Sequence, residues 1–358
     1  MAQGQLDEHA VREVLTEFKD PELGRSITQL GQVHALSLDA GKLSVTLGLT
    51  TYCAPLWAET QAELAALLRS RFPGLDVTVT LAEHDRPAEK SGELGLTVKG
   101  VLAVGSGKGG VGKSTIAASL AYGLSRSGCK VGLMDADVYG PSIPHLLGAT
   151  ERPRMINQRI HPVLVDSLRV MSMGFLVPPG EAVIWRGPML HGAITQFLRD
   201  TEWGNLDYLV IDLPPGTGDI SLTLSQLLPL TGAVVVCTPQ DVALLDATKA
   251  IAMFRKVNID VLGMVENMSF FICPDCGSRH EIFGSGGARR RAEELGIPFL
   301  GEVPLQSRLR ALGDEGRVGA GLDDPAAKPY LEAICHALVA QLALQHRRSP
   351  PMPSLPVL

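Results

Sequence analysis

A glycine-rich loop between an apolar strand and a helix-patterned segment constrains the fold of this chain more than any other feature. The loop runs from Ser106 to Thr115 as SGKGGVGKST, and it satisfies the pattern G-x4-G-K-[ST] from Gly107 to Ser114. The apolar stretch VLAVG precedes the loop, and IAASLAYGLSRSG follows it. Glycines let backbone N–H groups turn inward around phosphate oxygens, and the start of a helix adds positive potential. The sequence therefore predicts a nucleotide-phosphate site on a strand–loop–helix unit.

The residues of this loop have distinct expected roles. Lys113 is expected to lie along the β- and γ-phosphates of ATP, and the Ser114 hydroxyl is expected to bind Mg²⁺. The other predicted ATP contacts in the loop are Gly107, Gly109, Gly110, Val111, Gly112 and Thr115.

The rest of the chain after residue 98 alternates short apolar segments with helix-patterned ones. The predicted strands are Val101–Val104, Val131–Met134, Leu168–Met173, Tyr208–Leu213, Ala233–Thr238, Val261–Val265 and Phe299–Val303. Strands that are apolar on both faces, with helices between them, indicate a mostly parallel sheet covered on both sides. We therefore expect an α/β fold, with a P-loop NTPase domain over residues 98–342.

The N-terminal part of the chain has a different pattern. Apolar spacing predicts, in order, a helix, two strands, a second helix and a third strand, over residues 7–18, 32–38, 42–49, 56–71 and 75–81. This order predicts a small α+β domain over residues 1–82. Residues 83–97 are polar and predict a linker, and residues 343–358 are expected to form a disordered, proline-rich tail.

Composition bears on partners and compartment. The net charge is −6, which argues against nucleic acid or an anionic membrane as a partner. No apolar run approaches the ~18 residues of a membrane span, and the start MAQGQLDEHAVREV lacks the regions of a signal peptide. With only six cysteines, disulfide staples are not indicated. We therefore expect a cytoplasmic protein.

Acidic residues stand at the ends of two predicted strands. Asp135 and Asp137 follow Val131–Met134, and Asp212 follows Tyr208–Ile211. Because parallel strands place their carboxyl ends on the ligand side of a sheet, we expect these acids to converge on the glycine-rich loop.

One cysteine pair has the spacing of metal ligands. Cys273 and Cys276 form C-P-x-C, and thiolates at this spacing can bind one metal ion or cluster. A complete site needs four ligands, and the chain contains no second C-x-x-C. The set is completed either by another residue, of which His280 is nearest, or by the same pair of a second chain. Zinc and a reversible dithiol are the alternatives to an iron–sulfur cluster.

These motifs resemble known families. With its second lysine, Lys108, the loop resembles the deviant Walker motif of the MinD/ParA/nitrogenase-iron-protein class. Residues 98 to about 340 resemble the Mrp/ApbC group of iron–sulfur carrier ATPases, through SGKGGVGKST, DADVYGPS, WRGPM (185–189), VIDLPPGTGD, TPQDVALLD, GMVENMS, CPDC with IFGSGG, and FLGEVPL. The resemblance implies an ATP-hydrolysing cluster carrier that forms a homodimer and delivers clusters from scaffold proteins to apo iron–sulfur proteins.

The resemblance also implies residue roles. Lys108 would reach the phosphates bound by the other subunit, Asp137 would position the attacking water, and Asp212 would hold Mg²⁺ through water. Asp135 is the alternative to Asp212 at the metal ion, and Gly216 would sense the γ-phosphate. Asn267 stands where the class contacts adenine, although a strand-end cap is the simpler alternative. Cys273 and Cys276 would hold a [4Fe-4S] cluster that bridges two subunits.

The N-terminal segment resembles a small domain of iron–sulfur assembly proteins, through Asp20–Gly24 and Thr50–Pro55. Cys53 is a possible accessory thiol there, since it precedes a predicted helix N-terminus; the alternative is a small buried hydrophobe. The rival functions for the whole chain are a MinD/ParA-like positioning ATPase, a nitrogenase-like reductase, and the same ATPase with a structural zinc clasp.

Overall fold

The computed structural model of the protein describes residues 8–92, 94–138, 140–176, 187–216 and 218–348. Backbone contacts divide the chain into two compact units. The first comprises Met1–Arg86 together with Val339–Leu358, and the second comprises Pro87–Leu338.

In the N-terminal part of the first unit, the described residues form two α-helices and a three-stranded sheet. Its N-terminal elements are α1 (Glu8–Glu17), β1 (Val33–Asp39), β2 (Lys42–Leu49), a 3-10 helix (Thr51–Leu56), α2 (Trp57–Arg71) and β3 (Asp76–Glu83). The strands are ordered β1-β2-β3, with β1 antiparallel and β3 parallel to β2. Alternate residues of β2, such as Leu43, Val45 and Leu47, are buried against the helices. The predicted helix–strand–strand–helix–strand order is confirmed.

The second unit is built from alternating strands and helices. Its strands are β4 (Lys90–Ser91), β5 (Leu96–Gly105), β6 (Val131–Asp135), β7 (Arg154–Ile156), β8 (Arg159–His161), β9 (Val163–Val165), β10 (Leu168–Ser172), β11 (Leu206–Asp212), β12 (Gly232–Cys237), β13 (Val261–Ile272), β14 (Arg279–His280) and β15 (Phe299–Leu305). Its helices are α3 (Lys113–Arg126), α4 (Ile143–Leu146), α5 (Gly187–Asp200), α6 (Gly218–Leu227), α7 (Asp241–Lys256), α8 (Gly287–Leu295), α9 (Ser307–Asp314) and the first part of α10 (Lys328–Arg348), with 3-10 turns at Met173–Phe175 and Val318–Leu322. The residues of α10 from Val339 onward belong to the first unit.

Ten strands of the described residues form a mostly parallel sheet at the centre of this unit. The order is β14-β13-β12-β5-β11-β6-β10-β9, with β15 also parallel to β13 and β4 antiparallel to β5. β12 (GAVVVC) is buried at every position, as expected for a parallel strand with helices on both faces. The predicted fold class is confirmed.

The topology determines where a ligand can bind. β5 lies between β12 and β11, and its chain continues through α3 to β6 on the far side of β11. The carboxyl ends of β5, β6 and β11 therefore meet at one edge, beside the start of α3. In this register Asp212 lies opposite Asp135.

Two predicted boundaries were wrong in part. Lys90–Ser91, within the predicted linker 83–97, pairs with the start of β5. Gly92 and Gly95 have positive φ angles of 66° and 64°, so they turn the chain between these strands although the segment is polar. α10 also continues to Arg348, into the predicted disordered tail 343–358.

The helix enters the predicted tail at buried positions and meets no proline there. Leu342 and Ala343 are both 0% exposed, and the prolines begin only at Pro350. Residues 349–358 of the predicted tail lie outside the described residues. Within the described ranges, no helix is long and apolar enough to cross a membrane.

Candidate functional site

The glycine-rich loop follows β5 and ends where α3 begins at Lys113. Gly110 and Gly112 have left-handed φ angles of 81° and 80°, which glycine adopts without steric penalty. A Cβ at Gly107 would lie 2.1 Å from the backbone carbonyl carbon of Asp246, so the loop also passes directly against α7. These positions require glycine for conformation and for close packing, and the loop backbone lines an open cavity.

Lys113 lies at the centre of the acidic strand ends. Its ammonium donates to Asp212 Oδ1 at 2.6 Å and to Ser114 Oγ at 3.2 Å. Asp137 Oδ2 is 3.7 Å away. The Lys113 side chain is 6% exposed and that of Asp212 is fully buried. The structure therefore brings together the residues that the sequence placed on the loop and on two strand ends.

Burial raises the pKa of Asp212, and the ammonium of Lys113 opposes the shift. Asp212 Oδ2 is buried and has no hydrogen-bond partner among the described residues. Such an oxygen is costly to leave unsatisfied, and a bound cation or its water would satisfy it. The carboxylate of Asp212 and the hydroxyl of Ser114 thus fit the oxygen ligands that Mg²⁺ prefers.

Asp135 is held by three hydrogen bonds. Its carboxylate accepts from the backbone N–H groups of Asp137 (3.0 Å) and Ile143 (3.2 Å) and from Ser172 Oγ (2.9 Å). Burial and the nearby Asp212 nevertheless raise the pKa of Asp135 to about 8. These bonds make Asp135 an anchor for the backbone at Asp137 and Ile143. Asp137 itself lines the cavity.

The cavity above the loop has a polar part and an apolar part. The polar part measures about 320 Å³ and is lined by the loop together with Asp137, Ser142, His145 and Pro215. A second cavity of about 480 Å³ shares Gly112, Thr115 and Leu146 with the first and is lined mainly by apolar side chains, including Met268, Phe271, Leu305 and Leu309. A polar cavity beside the glycine-rich loop thus adjoins a larger, mainly apolar cavity.

Lys108 lines the polar cavity and is partly exposed. Its carbonyl accepts from Ser106 Oγ at 2.9 Å. The N–H of Gly216 donates to the Ser106 carbonyl at 2.9 Å, so the predicted γ-phosphate sensor touches the loop. Thr217, the residue after it, lies outside the described residues.

Asn267 contacts the loop itself. Its Nδ2 donates to the Val111 carbonyl at 2.9 Å, and it would lie 2.2 Å from a Cβ at Gly112. Asn267 also lines the apolar cavity, so the predicted adenine contact and the contact with the loop come from one side chain. The next residue, Met268, has a left-handed φ of 55°, which is strained for a side chain of this type.

Gln306, which lies on the wall of the apolar cavity, was not identified from the sequence. Gln306 lines that cavity, and its Oε1 is buried without a hydrogen-bond partner among the described residues. Gln306 directly follows the motif FLGEVPL (299–305). An uncharged amide at the end of a parallel strand, before a short helix, is the signal that could have identified it.

Cys273 and Cys276 lie in the turn between β13 and β14. The turn is closed by hydrogen bonds from Cys273 N–H to the Ser278 carbonyl and from Gly277 N–H to the Cys273 carbonyl, both 2.9 Å. Cys276 is exposed and Cys273 is partly exposed. Hydrogen bonding to Ser278 lowers the pKa of Cys276, whose Sγ is 3.2 Å from Ser278 Oγ. An exposed thiol with a lowered pKa is a ready metal or cluster ligand.

The described residues do not complete a ligand set within one chain. No group of three or more His, Cys, Asp or Glu side chains in these ranges could hold a metal ion. His280 instead lies in β14, where it pairs with Phe271. Completion by His280 therefore lacks support in this structure, and the two thiols stand as a pair.

The remaining cysteines are buried. Burial raises the pKa values of Cys237 and Cys335 to about 12, and Cys129 is 4% exposed, so these three are core residues. Cys53 lies in the 3-10 helix before α2 and is 1% exposed. Its burial favours the alternative of a small buried hydrophobe over an accessible thiol.

Comparison with known proteins agrees with this geometry. The family described as ParA, NUBPL iron-transfer P-loop NTPase, matches residues 97–339, and an iron–sulfur cluster assembly protein family matches residues 8–81. A Deinococcus radiodurans protein named "Iron-sulfur cluster carrier protein" is 45% identical over 94% of this chain and 96% of its own length. An Escherichia coli K12 protein of the same name is 44% identical over 84% of this chain and 83% of its own length.

Solved structures show the same fold. A nucleotide-binding protein from Archaeoglobus fulgidus in complex with ADP is 44% identical and has a TM-score of 0.57, covering 64% of this chain and 90% of its own. The McdA protein of Cyanothece in its ATP complex, at 17% identity and a TM-score of 0.50, shares the fold alone. The family match covers more than half of the chain, and the relatives match it nearly end to end. The chain therefore belongs to the NUBPL-type iron-transfer P-loop NTPase family and carries an iron–sulfur cluster assembly domain at its N-terminal end.

Proposed function

We propose that this protein is an iron–sulfur cluster carrier that binds and hydrolyses ATP, holds a [4Fe-4S] cluster between two subunits and delivers it to apo iron–sulfur proteins. The observation that carries the proposal is the presence, in one compact unit, of a loop-and-acid nucleotide site and an exposed thiol pair with half of a cluster's ligands. The proposal is also supported by a relative that is named as an iron–sulfur cluster carrier and is similar over 94% of this chain.

The nucleotide site accounts for ATP hydrolysis through its own residues. The phosphates would occupy the polar cavity, and the base would occupy the apolar cavity beside Asn267 and Phe271. Lys113, which is paired with Asp212 at 2.6 Å, would turn to the β- and γ-phosphates. Asp212 and Ser114 would then be available to Mg²⁺, which neutralises phosphate charge.

Asp137 lies close enough to the phosphate cavity to orient a water molecule. That water attacks the γ-phosphorus, the bond from this phosphorus to the β–γ bridging oxygen breaks, and ADP and phosphate leave. Asp137 Oδ1 accepts from the Gly140 N–H at 3.2 Å, which restrains the loop that carries it. Lys108, which lines the same cavity, is proposed to act on the phosphates of the second subunit and supply positive charge there.

The homodimer follows from the cysteine pair. Iron–sulfur clusters usually need four thiolates, and the motif of each chain offers two, of which Cys276 is exposed and Cys273 is partly exposed. A two-fold axis through the turn that joins β13 and β14 would bring two pairs together. Both the thiols and the loop belong to the unit Pro87–Leu338, so we propose that this unit is the ATPase and carrier. The small N-terminal unit is proposed to assist transfer from cluster scaffold proteins.

A structural zinc clasp is the second candidate, because the turn closed by Cys273 and Gly277 is a compact knuckle of the kind that also binds zinc. A transfer experiment separates the two. The protein reconstituted anaerobically with iron and sulfide is mixed with an apo-enzyme whose activity requires [4Fe-4S], with and without ATP and Mg²⁺. The carrier function predicts recovery of the acceptor's activity, with the Cys273→Ala chain as the negative control. Tightly held zinc and no transfer would leave an ATPase with a zinc clasp.

A further inference from the structure

Two histidines from outer strands of the small N-terminal sheet meet at its surface. His34 lies in β1, and His84 follows the last residue of β3. His34 Nε2 and His84 Nδ1 are 3.1 Å apart. Their ring centroids are separated by 5.4 Å, with a tilt of 37° between the ring planes.

The middle strand makes this meeting possible. β2 lies between β1 and β3, and at the crossing point it carries Gly48. A Cβ at Gly48 would lie only 2.3 Å from His34 Nε2, so the imidazole occupies space that any side chain would fill. Backbone hydrogen bonds also hold β2 to the segments that carry the two histidines. Gly48 N–H donates to the Gln32 carbonyl at 2.6 Å, and His84 N–H donates to the Leu49 carbonyl at 2.9 Å.

The geometry of the pair suits a shared metal ion. With Zn–N bonds of about 2.0–2.1 Å, two nitrogens on one tetrahedral ion lie about 3.3 Å apart, close to the separation seen here. In a metal-free pair, one of the facing nitrogens must carry a proton that the other accepts. A divalent ion would use both lone pairs and replace that proton. Imidazole is a ligand that Zn²⁺, Cu²⁺, Fe²⁺ and Ni²⁺ all accept.

We propose that His34 and His84 form a two-imidazole site for a divalent transition-metal ion on the small N-terminal unit. Among the described residues no third His, Cys, Asp or Glu joins them, so water completes the coordination. The site is separate from the cysteine pair and does not depend on the cluster-carrier function. It gives the small unit a metal-binding capacity of its own.

Zinc titration of the full chain tests the site. The thiols would compete for zinc, so the parent for this test carries Cys273→Ser and Cys276→Ser, is stripped of metal and is free of nucleotide. Calorimetry should detect one zinc ion per chain. His34→Gln and His84→Gln keep hydrogen-bonding side chains but remove one imidazole each, and each should weaken zinc binding by at least about tenfold. His9→Ala, at an exposed histidine of α1 in the same unit, is the matched control and should bind like the parent.

Gly48→Ala probes the arrangement without removing a ligand. Its new methyl group would displace the His34 ring, and zinc binding should weaken while both imidazoles remain. Imidazole ¹⁵N resonances of the parent provide a readout that does not depend on any substitution being tolerated. Zinc should shift the resonances of His34 and His84 together. If these resonances stay unmoved, or if His34→Gln binds zinc as tightly as the parent, the pair is a hydrogen-bonded contact and the proposal fails.

Discussion

The side-chain amide of Asn267 donates a 2.9 Å hydrogen bond to the carbonyl oxygen of Val111, which joins the strand that leads to the cysteine pair to the phosphate-binding loop. Five residues after Asn267, β13 ends at Ile272, and Cys273 follows. Phe271, which lies between Asn267 and Cys273 in the sequence, lines the apolar cavity. One strand therefore supplies the contact with the loop, part of the wall of the apolar cavity and the start of the turn that carries the two cysteines.

Asn267→Ala is expected to weaken ATP binding. Asn267 lines the cavity in which the base is proposed to bind, and the loss of one hydrogen bond to the base would cost about 0.5–1.5 kcal/mol, which corresponds to a several-fold loss of affinity. Titration with a fluorescent ATP analogue measures the effect. Asn205→Ala, at an exposed position just before β11, is the control and should bind normally. Unchanged affinity in the Asn267 variant would mean that the amide only caps the strand.

The two loop lysines should separate binding from hydrolysis. Lys113→Ala is expected to abolish hydrolysis and weaken ATP binding, because the β- and γ-phosphates lose their main cation. Lys108→Ala should keep much of the binding and lose most of the hydrolysis, since its proposed work is on the other subunit's phosphates.

Steady-state ATPase assays beside binding titrations decide this. Lys249→Ala, at a lysine whose side chain is 80% exposed, is the control for loss of a surface cation. Full hydrolysis by the Lys108 variant would remove the reason to invoke action between subunits.

Much of the nucleotide site could be predicted from the sequence because its determinants are local. A strand, seven loop residues and a helix start define the phosphate cradle, and parallel pairing alone places Asp135 and Asp212 at its edge. The partner of Asn267 could not be predicted, since Val111 lies 156 positions away and the contact depends on the register of β13. The contact between His34 and His84 could not be predicted either, because it depends on which strand is central and on glycine, which has no side chain, at position 48.

Thiol reactivity should follow the environment of each cysteine. An ordinary exposed thiol is mostly protonated at neutral pH, and the lowered pKa of Cys276 means that more thiolate is present at any given pH. As the pH is lowered, the rate of alkylation at Cys276 should therefore begin to fall at a lower pH than the rate for a model thiol.

Cys237 and Cys335, with pKa values of about 12, should stay unlabelled in the folded chain. Iodoacetamide labelling of the metal-free protein across pH 5–9, followed by peptide mass spectrometry, provides the test. Ser278→Ala should move the Cys276 profile to higher pH, because the serine hydroxyl hydrogen-bonds to this sulfur. A Cys276 profile like that of a free thiol would contradict the assigned role of Ser278.

Removal of residues 1–86 should leave the ATPase working, provided that the cut leaves β4 and β5 in place. We expect a chain that begins at Pro87 to hydrolyse ATP like the full chain, because every residue of the nucleotide site lies in Pro87–Leu338. A chain that begins at residue 98 should be less stable, since it loses the pairing of β4 with β5 and the buried Leu96. Urea unfolding and ATPase assays on the two chains check this. Equal stability would mean that β4 contributes nothing to the second unit.

The strongest test of the cluster proposal is stoichiometry. Because each chain contributes two thiolates and a cluster usually requires four, reconstituted protein should hold about one cluster per two chains, or roughly two irons per chain for [4Fe-4S]. Either Cys273→Ala or Cys276→Ala should remove the cluster from both subunits, whereas Cys129→Ala, at a buried cysteine, should retain it. Cluster binding should also shift the chain toward dimers, because a ligand stabilises the form that binds it. Iron, sulfide and oligomer mass are measured together after anaerobic reconstitution. A monomer that carries a full cluster would overturn the bridging arrangement, since the described part of one chain offers no third ligand beside the pair.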